Sequence, residues 1–241
     1  MRWTRKAWLV VTGAIATLGG IAYAAVASVE RMTAPPYVAE LLADLPAAAE
    51  RLAPHSPARE AIESGELESA HEMLSFRPRA EAPIPEGFPA YTPVGVIELK
   101  TYPSYRKAVG ASFWPLFSHI QTQGIPMTAP VEMNRADSVK GDGQMAFLYQ
   151  NTKVGSPGAI DRVEVTDTAA TIVASLGMRG RMNEATAADA AKRLEDWLAT
   201  QSEYRRQGTG EASFRVFGYN SPMVPDREKY WEVQLLLEPA K

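Results

Sequence analysis

The side chains able to do chemistry in this 241-residue chain are few, and they suit binding better than bond-breaking. Cysteine is absent, which removes thiolate catalysis, Cys-ligated zinc and iron–sulfur clusters together. No Ser–His–Asp spacing, HExxH, GxSxG, P-loop or GxGxxG pattern occurs. Glu132 and Asp137 are neighbouring acids with no readable partner, so by default they are surface carboxylates. Of the three histidines, His55 and His71 fall in a proline-interrupted stretch, where nothing readable fixes a ligand in place. His119 alone lies in well-patterned sequence. The thioethers Met127, Met133, Met145, Met178, Met182 and Met223 can fill irregular apolar gaps or adapt to a bound shape. Met127 and Met223, beside prolines, are the best placed to line a cleft. Arg106, Lys107, Arg179 and Arg181 can pair with ligand carboxylates or simply be solvated. The net charge is −3 and no run of Lys and Arg occurs after residue 6, which argues against a nucleic-acid partner.

The elements that must position these groups become readable after Tyr91. A β-rich segment from Val94 to Tyr105 is broken at Pro103. Phe113, Leu116, Phe117 and Ile120 recur at helical spacing, with Gly124 as the stop. His119 falls about 110° from the centre of that apolar face at about 100° per residue, flanking the core side. Strands are expected at Ile125–Met133 and Met145–Tyr149, separated by the Gly141-Asp142-Gly143 turn. Residues 163–165 and 171–176 read as strands, 184–201 as the best helix, and 214–219 and 230–237 as the last strands. In the final strand Val233, Leu235 and Leu237 alternate with Glu232, Gln234 and Leu236, which predicts one buried and one partly wet face. Both halves read strand, helix, strand, strand. The expected fold is α+β: a distorted antiparallel sheet or barrel from two βαββ-like repeats with two main helices.

The first 90 residues read differently. Arg2, Arg5 and Lys6 precede an uncharged stretch over residues 7–29. Its length suits a transmembrane anchor, while Ala25-Val26-Ala27 also suits a cleaved signal peptide. In either case the bulk of the chain is expected outside the cytoplasm, membrane-tethered or periplasmic. Residues 30–90 are Ala- and Pro-rich and read as a linker with short helices at 37–45 and 59–74. Residues 91–241 make the ligand-binding domain.

Three separated segments of that domain carry a resemblance. Met127-Thr128-Ala129-Pro130-Val131-Glu132-Met133, following a helix with Phe117 and Ile120, resembles the hallmark segment of the SOUL heme-binding family. Ile97-Glu98-Leu99-Lys100-Thr101-Tyr102-Pro103 is similar to its opening strand. Phe217-Gly218-Tyr219-Asn220-Ser221-Pro222, with Trp231-Glu232-Val233, is similar to its closing strands. The resemblance implies non-covalent heme or tetrapyrrole binding in an apolar cleft beside a helix, and no shared catalytic residues. A heme site needs apolar walls, groups for the propionates and an axial ligand. The candidates are Phe113, Phe117, Met127 and Met223 as walls, Arg106 for a propionate and His119 for iron. The cleft is expected between the Phe113 helix and the sheet. Two alternatives stay open: an effector-type sensor of another small amphipathic molecule, and an enzyme acting in the same cleft.

Overall fold

The computed structural model describes residues 30–134 and 144–240. The stretch 7–29, read above as anchor or signal, lies outside them. Among the described residues no helix is long and apolar enough to cross a membrane.

Strand β1 (Glu30–Arg31) pairs with β2 (Arg79–Ala80), and between them run α1 (Val38–Ala43), α2 (Leu45–Ala48), α3 (Pro57–Glu63) and α4 (Leu67–Ser75). These are the short helices of the Ala/Pro-rich stretch. Their apolar faces form one cluster, with Leu41, Leu52, Ile62 and Leu74 buried against Val96 of the sheet domain. The amide of Ala58 donates to the Gly95 carbonyl at 2.8 Å. Prolines at helix starts do not break this packing, because the first turn has no amide to lose there.

The rest is one ten-stranded sheet in which every ladder is antiparallel. Its members are β3 (Ile97–Tyr102), β4 (Tyr105–Gly110), β5 (Val131–Asn134), β6 (Met145–Leu148), β7 (Gly158–Ile160), β8 (Val163–Thr168), β9 (Thr171–Arg179), β10 (Tyr204–Arg206), β11 (Phe214–Gly218) and β12 (Tyr230–Pro239). Helix α5 (Phe113–Thr122) follows β4 and α6 (Glu184–Ala199) follows β9. The order β3-β9-β12-β11-β5-β6-β4-β8 reads the same from both ends when the two halves are exchanged. The internal repeat is therefore real, but its unit is ββαββ rather than βαββ. The segment broken at Pro103 is two strands, and they pair with different partners, β9 and β4's neighbours β6 and β8.

That topology forces curvature. Strand β3 lies at one edge and β4 near the other, yet only Pro103 and Ser104 join them, a reach of about 11 Å. The sheet must curl until its ends approach. It does not close: no ladder joins β3 to β4, so the expected barrel is corrected to an open, curled sheet with six α-helices among the described residues.

Both long helices pack on one face. Ala187, Ala190, Leu194 and Trp197 of α6 meet Leu176, Val216, Val233 and Leu235. Leu116 and Ile120 of α5 meet Ala108, Phe147 and Val165. An Asn183–Thr186 capping box starts α6. Gly124, at φ +62°, ends α5, and the Ile125 amide returns to the Ile120 carbonyl at 2.8 Å. On the concave face Phe88 stands edge-on to Tyr102 and Tyr105, with centroids 4.9 and 5.2 Å apart. Gly177 on β9 allows the chain at 92–93 to lie against the strand. A Cβ there would sit 2.3 Å from the Thr92 carbonyl oxygen and 2.5 Å from that of Pro93. Gly177→Ala is expected to destabilise by about 1–3 kcal/mol, since both obstacles are backbone. Urea unfolding checks this; an unchanged midpoint would mean that the 92–93 segment is not held as described.

Candidate functional site

The outer side of α5 carries a cavity of about 530 Å³, walled by Trp114, Pro115, Ser118, His119, Thr122 and Gln123 of the helix and by Ile160–Val163 from the β7–β8 turn. Trp114 is 73% exposed, and Phe113 beside it is half-exposed and stacks on Phe117 with centroids 5.5 Å apart. His119 is 7% exposed, so it is buried rather than surface-facing. The cover comes from outside the helix: its Nε2 shares a 2.7 Å hydrogen bond with the Tyr149 hydroxyl, and the rings lie nearly parallel. Burial lowers the His119 pKa, opposed by the Asp161 carboxylate. Burial raises that of Tyr149. At neutral pH the pair is an uncharged imidazole and an uncharged phenol, and an uncharged imidazole is the form that can ligate a metal.

The space between α5 and the sheet, where the cleft was expected, is filled. Leu116, Ile120, Phe147 and Val165 close it. The opening lies on the other side of the helix.

A second cavity, of about 490 Å³, opens in the concave face of the curled sheet and shares no residue with the first. Lys107, Glu132 and Arg215 line it. Lys107 Nζ lies 2.5 Å from Glu132 Oε1. Tyr105 donates to Glu132 Oε2 at 2.7 Å and accepts from Arg215 Nη1 at 2.7 Å. Burial alone would raise the Glu132 carboxyl, but Arg215, Lys107 and its hydrogen bonds hold it below the ordinary range. Deeper in the same face Glu232 is fully buried and accepts from Lys100, Thr92, Tyr230, Ser175 and Gln234.

The sequence profile of the SOUL heme-binding protein family matches residues 89–236, the curled sheet up to Leu236 in β12 with both of its helices. The chain belongs to this family. The SOUL domain is similar in fold to the C-terminal domain of EcmrR, at 13% identity and a TM-score of 0.44, over 60% of this chain and 98% of that one. It is also similar to a hydrolase from Listeria innocua, at 11% identity and 0.42, over 61% and 94%. No curated protein matches the sequence.

Within the SOUL domain the six residues singled out by sequence part company. Phe113, Phe117, His119 and Met127 gather around α5, with Phe117 and Met127 packed on its inner cluster. Arg106 is on the sheet, and its guanidinium is held by four hydrogen bonds. It meets both oxygens of Asp167 at 2.7 and 2.8 Å and the carbonyls of Val154 and Gly155 at 3.1 and 2.7 Å. Met223 is exposed on the loop between β11 and β12 and does not line the α5 cavity. Sequence reasoning missed Trp114 and Arg162 at this cavity, and Tyr149 as the partner of His119. Trp114 and Arg162 were legible as an aromatic off the apolar stripe of the helix and a cation. Tyr149 was not, because only the fold brings it to His119. Among the described residues no group of three or more His, Asp or Glu is placed to hold a metal ion.

Proposed function

We propose that the SOUL domain binds heme or a related tetrapyrrole non-covalently and reversibly, in the cavity on the outer side of α5. The observation that carries this reading is His119, a nearly buried imidazole kept uncharged in the wall of a cavity beside an exposed tryptophan. The donor set fits the group. Trp114 and Pro115 offer apolar surface to a macrocycle, Arg162, Ser118 and Thr122 offer partners to propionates, and His119 offers a nitrogen to iron. The iron supplies the redox and ligand-binding chemistry; the chain positions it. The role proposed is carriage or buffering. The place of action proposed, the outer face of a membrane, rests on the basic residues before the uncharged stretch 7–29 alone.

Hemin titrated into the purified full-length chain is expected to give a saturable Soret shift at low micromolar concentration with one equivalent bound. Spectra that stay the sum of free hemin and protein at all ratios would overturn the proposal.

A further inference from the structure

The concave cavity is a different kind of place from the one beside α5. It sits where β4, β5, β6 and β11 meet in the curl, roofed by Thr168–Thr171 and by Gln207 and Gly208. Among the described residues its charges do not balance. Two cations, Lys107 and Arg215, face one carboxylate, Glu132, whose oxygens are already held by Lys107 and Tyr105. Arg215 is only 6% exposed. Its Nε donates to Gln234 at 2.8 Å and its Nη1 to Tyr105, while its buried Nη2 has no hydrogen-bond partner. The guanidinium lies over the rings of Phe217 and Tyr102, 4.4 and 4.8 Å from their centroids. Ring faces accept weakly, so they hold the cation in place without using up its donors. Lys107 is partly open, and an ammonium with one bond to Glu132 keeps two further donors. Around these cations the wall is apolar: Val109, Met133, Met145 and Leu236.

A surplus cation in a pocket with apolar walls selects an organic anion of low charge. A polyphosphate would bring more negative charge than the single surplus cation can meet. A planar carboxylate, with two acceptor oxygens, suits an ammonium and a guanidinium that share one acid between them. The volume suits a small acid with a short hydrocarbon or aromatic body. We propose that this concave cavity is a second binding site, for a monocarboxylate with an apolar body, and that Lys107 holds the carboxylate while the buried Arg215 guanidinium behind it supplies the second positive charge. Such a carboxylate can come from a free organic acid or from a propionate of a tetrapyrrole.

The test is calorimetric titration of the full-length chain with octanoate and benzoate, against octanamide and benzamide as uncharged partners of the same shape. At least one acid should bind saturably, and at least tenfold more tightly than its amide. Lys107→Gln, at the mouth and partly exposed, should reduce acid affinity tenfold or more while leaving the amide unchanged. Arg215→Lys, which keeps the charge but not the fork, should weaken the acid less than Lys107→Gln combined with Arg215→Lys. Acids and amides that bind equally, or no saturable binding of either acid up to about 10 mM, a level chosen to detect even weak ligands, would overturn the proposal. Hemin added to the acid-saturated protein tells the sources apart. Unaltered hemin binding assigns the site to a free acid; competition assigns it to tetrapyrrole propionates and moves the heme seat away from α5. The comparison of acid with amide uses no hemin, so a failure of carboxylate binding and a failure of heme binding are read separately.

Discussion

Replacing Lys100 by methionine is expected to destabilise the fold by about 3–5 kcal/mol, the range for stranding one member of a buried ion pair. Lys100 Nζ lies 3.0 Å from Glu232 Oε1, and both side chains are almost wholly inside the curl. The neutral donors of Thr92, Tyr230, Ser175 and Gln234 remain in the variant, so the loss should fall toward the lower end. Burial pushes the Glu232 carboxyl up, but Lys100, the Thr92 amide and the Tyr230 hydroxyl overcome it and leave the acid below its ordinary value. A depressed carboxyl contributes stability that is present above its unfolded value, about 4.5, and lost as pH falls through the folded value. Without Lys100 that value rises, and acid unfolding should begin at higher pH. Adding Glu232→Gln to Lys100→Met removes the stranded charge and should recover most of the loss. Urea unfolding at pH 7 and pH 5, followed by tryptophan fluorescence and circular dichroism, measures the wild type and both variants. A loss below about 1 kcal/mol for the single change would contradict a native state with an ionised Glu232, given the cost of an unpaired buried charge.

His119→Ala should alter the spectrum of bound heme as well as weaken binding tenfold or more, because it deletes the proposed iron ligand and not merely wall area. Its effect on stability should be modest, about 1–3 kcal/mol, the scale for leaving the buried Tyr149 hydroxyl unpaired. Tyr149→Phe separates the roles: it keeps the ligand, frees its orientation, and should shift the spectrum less than His119→Ala. The pH dependence has a definite sign. Burial depresses the His119 pKa, so the imidazole stays uncharged in the fold below about pH 6.5, where the unfolded chain already takes up a proton. Stability therefore falls as pH drops from about 6.5 toward the folded value. Heme affinity should hold over the same range and be lost only below it. A heme spectrum identical in wild type and His119→Ala would remove His119 as ligand.

The helices were legible because their apolar residues recur at 3.6 spacing, as in the Ala187–Trp197 stripe of α6, and because Gly124 stops α5 locally. The family was legible because three separated segments kept their order. The interior of the curl was not. Glu232 and Gln234 alternate with Val233 and Leu235 as a half-solvated strand does, yet both are fully buried. Alternation says which residues share a face, not whether that face meets water. Here the sheet curls over it, and Lys100, Arg215 and Tyr230 supply the partners that make burial tolerable. The curl itself follows from pairing between distant strands, which no local pattern encodes. His119 fails for the same reason: a helical wheel placed it at the flank of the core, and the cover comes from Tyr149, 30 residues away in sequence. The filled inner face of α5 was legible in hindsight, since Leu116 and Ile120 are the core stripe itself.

The most direct test of where heme sits is paramagnetic broadening. Amide spectra of the labelled protein saturated with ferric protoporphyrin would be compared with those of its diamagnetic gallium analogue. Loss of signal confined to residues 113–123 and 160–163 is the predicted result. Broadening centred instead on β4, β5 and β11, or spread evenly over the surface, would contradict a tetrapyrrole seat on the outer side of α5.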